Sequence, residues 1–354
     1  MERKTYCDYL RVAATFAVVV LHVAASKWSA ADVNGTTWKV FNFYNSAVRW
    51  GVSIFIMISG SLFLNREIRI KSIYSKYVPR MLAAFIIWSL FYVLTSPDAL
   101  QNGLLSAIRA YWKEIALGHY HMWFILMISG IYMSIPIFKR IVSDETVTKY
   151  YLLLAFLFTF ALPWVTNLLT DFAADKSGPL SSVIAVFNTN IRALSMEIVM
   201  GYGFFFVLGY YLDRIDLSKR TRIVIYMLGI FGFIFTVLAD LKLSIMTQQP
   251  VLKYYDNFSV NVLLEAVSVH TFFKYREYNA KKINSLAAVL SKYSFGAYLI
   301  HAYFLENASQ RFGITTLSFN AIASVPAISC AVFVLSMAVS AILNHIPVIK
   351  KYCV

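Results

Sequence analysis

The sequence predicts an all-α polytopic membrane bundle of about ten transmembrane helices with both termini in the cytoplasm, and three observations carry that prediction. Hydrophobic residues make up 59% of the 354-residue chain and charged residues only 14%, well under the roughly 25% charged content of soluble domains. Mean hydropathy is correspondingly high, at +0.63. Apolar runs near the roughly 20 residues needed to cross a bilayer recur from end to end, joined by short polar connections. Finally, the cations are sorted by connection, as the span assignment makes plain.

Taken in order, the apolar runs place spans at about 9–26, 47–64, 80–95, 121–138, 149–165, 191–212, 222–243, 258–275, 293–309 and 320–345. The N-terminal MERKTYCDYLR leads into the first run without a small-residue cleavage signature, so that run is expected to be a retained span. The connections divide the Lys and Arg residues, Arg11 aside, into 21 on the N-terminal side and 10 on the other. The positive-inside rule then assigns both termini to the cytoplasm. The same sorting accounts for the net charge of +14, which is read as a topology determinant beside anionic lipid headgroups and not as a nucleic-acid footprint. With short connections throughout, residues 1–354 are read as a single transmembrane domain. The two longest outer segments, 96–120 and 166–190, have room for short amphipathic helices or a lid.

Several chemistries lack their motifs. Cys7, Cys330 and Cys353 are scattered without metal-like spacing. HExxH, a glycine-rich phosphate loop and GxSxG are missing. Neither a metal nor a permanently bound cofactor is expected.

The first span carries the sharpest candidates. In RVAATFAVVVLH, Arg11 and His22 are eleven residues apart. At 100° per residue that is three turns and about 20°, so the two side chains share one face, separated by roughly 16 Å of rise. Arg11, near the cytoplasmic end, has an ordinary reading as a snorkelling anchor. His22 lies in the outer half of the span, where an imidazole must find a partner or a wet cavity. A neutral imidazole there is suited to accept a proton from an attacking alcohol, and an arginine on the same stripe to bind the phosphates of an anionic donor.

These residues resemble the first span of the acyltransferase-3 family of integral membrane acyltransferases, in the branch that O-acetylates surface polysaccharides. GVSIFIMISGSLFL, with Ser59 and Gly60, is similar to that family's glycine-bearing second span. HMWFILMISGIYMSIPIFKR, FFFVLGYYLDR and SFGAYLIH resemble later family segments in the same order. The resemblance implies an acyl-CoA donor, acetyl-CoA above all, and a hydroxyl of a cell-envelope polysaccharide or lipid-linked sugar as acceptor. It further implies a bacterial inner-membrane location, with His22 as the central catalytic residue and Arg11 as a catalytic-site, donor-site or structural residue. The family's arginine pair before the third span is incomplete: SKYVPR keeps Arg80 but has Tyr77 at the first position. Lys76 supplies a charge beside it, without the bidentate fork of arginine.

Other polar residues are candidates for supporting or acceptor roles. His119 and His121 stand at the mouth of the fourth span beside Trp123, an interfacial aromatic that also suits a sugar ring. His301 belongs to the matched SFGAYLIH segment. Glu306 lies five residues on and off its face. Glu197 and Glu265 are expected in the bundle interior, where either is a candidate carboxylate partner for His22, with a structural hydrogen bond the favoured reading for Glu265. The alternative to an acyltransferase is a transporter or flippase of a glycolipid or small anionic solute, its pathway lined by Arg11 and His22.

Overall fold

A computed structural model describes residues 3–96, 103–172 and 179–352 of the chain. Every regular element among the described residues is helical. The principal helices are α1 Thr5–Ala25, α2 Thr36–Ser46, α3 Gly51–Phe63, α4 Val78–Leu94, α5 Trp123–Met133, α6 Glu145–Ala155 and α7 Leu162–Asp171. They continue as α8 Pro179–Ala193, α9 Gly203–Arg214, α10 Lys219–Thr247, α11 Val260–Lys274, α12 Lys281–Phe312 and α13 Ala321–His345.

Seven helical stretches among the described residues are long and apolar enough to cross a membrane: Thr5–Ala30, Thr36–Phe63, Ile70–Leu94, Trp112–Met133, Glu145–Asp171, Lys219–Thr247 and Ala321–His345. The three remaining expected spans differ for separate reasons. The run at 191–212 is broken, since Ser195 adopts a left-handed conformation and the continuous helix α9 has only 12 residues. The run at 258–275 forms α11, of 15 residues. The run at 293–309 lies within α12, whose 32 residues carry the polar KKIN and ENASQRF ends. The outer segments also hold short helices, at Leu104–Ala110, Trp112–Leu117 and α8. Their residues 97–102 and 173–178, like Cys353, lie outside the described residues.

The chain divides into two compact units, each discontinuous in sequence. The first comprises Met1–Ser26, Arg66–Pro136 and Tyr278–Val354. Here α1 packs against α12 and α13, burying Leu10, Ala14, Ala17 and Val18, the spacing of one helical face. Three side-chain rungs join α1 to α12: Tyr9 Oη donates to Asn284 Oδ1 (2.8 Å), Arg11 Nη1 to Ser291 Oγ (2.8 Å), and His22 meets His301 (2.8 Å). Residue numbers rise together on both helices, so α1 and α12 run parallel. Just before α1 begins, Arg3 bonds both oxygens of Asp8 (2.7 and 3.1 Å) and the Ala288 carbonyl (3.0 Å). The hydrogen bond to Asp8 raises the Arg3 guanidinium above its ordinary value.

The second unit comprises Lys27–Asn65 and Ile137–Glu277. One of its close crossings is α3 on α9, where two glycines let backbones touch. A Cβ on Gly60 would lie 1.8 Å from the Phe206 carbonyl oxygen, and one on Gly209 would lie 2.1 Å from that of Met57. Ser61 Oγ donates across the same crossing to Gly209 O (3.0 Å). The ISG and LGYY segments thus have a packing reason independent of chemistry. Glu265 sits in this unit's interior and accepts from Thr236 Oγ1 (3.0 Å). Glu197, expected to be inside, is exposed on the short turn Met196–Ile198, because the helix that would have carried it inward is broken at Ser195.

Gly60→Ala is predicted to force α3 away from α9. The expected cost is about 1–3 kcal/mol, as for other overpacked interiors, read as a lower thermal midpoint in detergent. An unchanged midpoint would refute the crossing.

Candidate active site

Five of the chain's six histidines lie in the first unit, and four of them, His22, His119, His121 and His301, come together there with Glu306. Elements from four parts of the chain deliver them. α1 supplies His22 in its last turn. α12 supplies His301 and Glu306, and also the Tyr298 and Leu299 carbonyls. α4 supplies Tyr92. His119 and His121 come from the turn leading into α5.

That turn depends on Gly118. Its φ of +74° ends the helix Trp112–Leu117 in a conformation that side-chain-bearing residues avoid. A Cβ there would also meet the Phe85 ring at 2.6 Å. The chain consequently folds close against α4, and a single helical turn, Tyr120–Met122, presents His121 inward before α5 begins at Trp123.

His22 and His301 form a hydrogen-bonded pair. Their rings stack with centroids 4.8 Å apart, and His22 Nδ1 lies 2.8 Å from His301 Nε2. His301 Nδ1 is in turn 2.5 Å from the Tyr298 carbonyl oxygen. A carbonyl only accepts, so His301 Nδ1 carries a proton; in the neutral ring Nε2 is then the acceptor. His22 Nδ1 must therefore be the donor, which leaves His22 Nε2 as the basic nitrogen. His301 is fully buried, whereas His22 keeps part of its surface accessible. The pair is a base held by a second imidazole, with a backbone carbonyl in the outermost place. At Nδ1 of His22 the partner is thus His301, a place for which Glu197 and Glu265 were only candidates; Glu265 makes a structural hydrogen bond with Thr236 instead.

His121 faces this pair edge-on, its ring centroid 4.9 Å from that of His301 and 6.3 Å from that of His22. Its own contacts run to Leu299 O (Nε2, 3.3 Å) and to His119 Nδ1 (Nδ1, 2.9 Å). His119 stacks on Tyr92 at 4.0 Å and pairs with Glu306 through Nε2 (3.1 Å). The Tyr92 hydroxyl donates to Leu299 O (2.7 Å) and accepts from Tyr303 N–H (3.3 Å), inserting itself beside the helical ladder of α12. Tyr298 Oη donates to the His121 carbonyl and fixes the turn on α12. Despite the density of imidazoles, no three His, Cys, Asp or Glu side chains among the described residues are placed to hold a metal ion.

The remaining candidates fall elsewhere. Arg11 uses Nη1 to bind Ser291, so it latches α1 to α12. Lys76 and Arg80 are exposed around the start of α4, where a π-helical turn, Ile73–Tyr77, precedes it and Lys76 stands 5.6 Å over the Tyr77 ring. Wide turns of this type often mark functional positions. Trp123 is 41% exposed at the start of α5. Sequence reasoning missed the partnership of His119 with Glu306; the only hint was a histidine pair directly after a glycine.

The sequence model of the acyltransferase-3 family, described as an acyltransferase domain, matches residues 4–345. The chain belongs to the acyltransferase-3 family. No curated protein and no solved structure matches it. As a member of this family it is a multi-pass membrane acyltransferase, and the match spans every residue of the histidine site.

His301→Ala removes the acceptor that holds His22 in one tautomer. Acyl transfer is expected to fall roughly 100-fold to 10,000-fold, the range of general acid–base contributions, with the thermal midpoint changed far less than the rate. Gly118→Ala is expected to weaken transfer as well, by displacing His119 and His121; full activity in that variant would show that the turn does not position the site.

Proposed function

We propose that this chain moves a short acyl group, acetyl, from acyl-CoA to a hydroxyl of a cell-envelope polysaccharide or lipid-linked sugar at the bacterial inner membrane. The observation that carries this reading is the His22–His301 pair, which makes Nε2 of a partly accessible imidazole the basic nitrogen. A hydroxyl donating to that nitrogen is activated as its oxygen attacks the thioester carbon. The charge that develops on His22 is shared through Nδ1–H with His301, whose own N–H already rests on the Tyr298 carbonyl. No carboxylate is needed at that position.

The donor is assigned to the cytoplasmic end of the first unit. Arg80 and Lys76 are exposed cations at the start of α4 and suit the phosphates of coenzyme A. Arg11 keeps α1 in register with α12 there. From Arg11 to His22 the rise along α1 is roughly 16 Å, a length that an extended pantetheine arm spans. Both termini lie in the cytoplasm in this reading, in keeping with the parallel course of α1 and α12. The aromatic mouth around Trp123 and Tyr120 suits a sugar ring on the opposite side.

The test is transfer of labelled acetyl from acetyl-CoA in membranes containing the protein, with wild type compared against His22→Ala. Label is expected in an envelope glycan with wild type only, and Arg80→Ala is expected to raise the donor KM. Label transferred equally by His22→Ala would exclude the histidine mechanism. Absence of transfer from acetyl and succinyl donors across several glycans would favour movement of a glycolipid or anionic solute.

A further inference from the structure

Hydrogen-bond bookkeeping separates the four imidazoles into two strings that differ in proton count. In the first, Tyr298 O to His301 to His22 makes two contacts, and two neutral imidazoles supply the two protons those contacts need. In the second, Leu299 O to His121 to His119 to Glu306 makes three contacts. Each needs one proton, because Leu299 O and a Glu306 carboxylate are acceptors only and the middle contact joins two ring nitrogens. Two neutral imidazoles and a carboxylate bring two. A third proton is required to satisfy the string.

We propose that Glu306, His119 and His121 form a proton-loaded string that makes His121 the acid opposite the His22 base. The third proton has three places along the string. It protonates Glu306, makes His119 an imidazolium paired with a carboxylate, or makes His121 an imidazolium, and all three arrangements keep every contact. Moving among them takes only a proton hop along an existing hydrogen bond, without ring rotation. Glu306, at 36% side-chain exposure, gives the string an outer end open to exchange, whereas His121 is buried at 2%. The contact of His121 Nε2 with Leu299 O is the longest in either string, at 3.3 Å, so that N–H is the one most readily given up to a ligand.

This role rests on the acyl-transfer reading above. His22 Nε2 takes the hydroxyl proton as the alcohol oxygen bonds to the acyl carbon. The bond from that carbon to sulfur then breaks, its electron pair leaves with the sulfur, and the sulfur takes the Nε2 proton of His121. The cycle closes when the proton held by His22 is handed back to His121, so one proton enters with the alcohol and one leaves on the thiol. Glu306 and His119 touch neither reactant and are positioning residues. The titratable groups facing the string are His22 from α1, Tyr92 from α4, Tyr120 beside the two histidines, and Tyr298 and His301 from α12.

The deciding variant is Glu306→Gln. Its amide N–H still donates to His119 Nε2, so all three contacts survive, but this proton cannot be passed on. Turnover is expected to drop roughly 100-fold, the lower bound for loss of an acid–base group, with the donor KM unchanged. The extra proton is lost as pH rises, so wild type should slow on the alkaline side, and that limb should vanish in Glu306→Gln. Glu306→Asp should recover part of the rate. An unaltered rate and pH profile in Glu306→Gln would overturn the acid role. Proton count is read separately from activity: ¹⁵N-histidine spectra and the infrared carboxyl region of wild type should show either an imidazolium or a protonated carboxyl that Glu306→Gln lacks. Identical spectra would overturn the string itself. Were wild type to transfer no acyl group at all, the reaction assignment would fail while the proton count still decided the string.

Discussion

An N–H placed in hydrocarbon has no water to receive it and must be taken by another protein atom. The His22–His301 hydrogen bond is that requirement met at the centre of the first unit, and much of the unit follows from it. It holds the end of α1 to the middle of α12, and the Arg11–Ser291 and Tyr9–Asn284 rungs repeat the pairing toward the other end of α1. Parallel register between two helices whose paired residues are 275 to 280 apart in sequence is thus maintained by polar contacts, where apolar packing alone would not choose between a helix and its neighbouring lipid.

α12 serves as the spine of the site. It contributes one imidazole, one carboxylate and the two carbonyls that terminate the histidine strings. Backbone carbonyls are useful terminators because they accept without titrating. Each decides which nitrogen of the adjacent ring bears a proton, and in the His301–His22 string that decision is transmitted to the second ring. The same arrangement explains why a cluster of four histidines differs from a metal site: their nitrogens are engaged with one another and with the backbone, and do not converge on a common point.

The second unit is built on a different principle. Gly60 and Gly209 remove side chains from the α3–α9 crossing, so two helix backbones lie in contact and Ser61 bonds across. Close van der Waals approach replaces hydrophobic burial as the source of association in an apolar solvent. Segments that look like signatures of activity in the sequence are here requirements of packing.

The amino-acid sequence by itself determined the helical membrane architecture, since the length and apolarity of a span are local properties that the bilayer dictates. It also singled out Arg11 and His22, because helical periodicity places residues eleven apart on one face, and the ordered family segments identified the family. It went wrong where breaks and partners matter. Ser195 interrupts a run that hydropathy alone reads as continuous, leaving Glu197 exposed. The orienter of His22 was sought among carboxylates, the usual partners of a basic imidazole, and proved to be His301, 279 residues away. Likewise Glu306, out of line with His301 on its own helix, gains its place only when the Gly118 turn brings His119 to it. Tertiary structure alone decided these points, because which nitrogen donates and which accepts depends on atoms converging from separate helices, and no local pattern encodes that convergence.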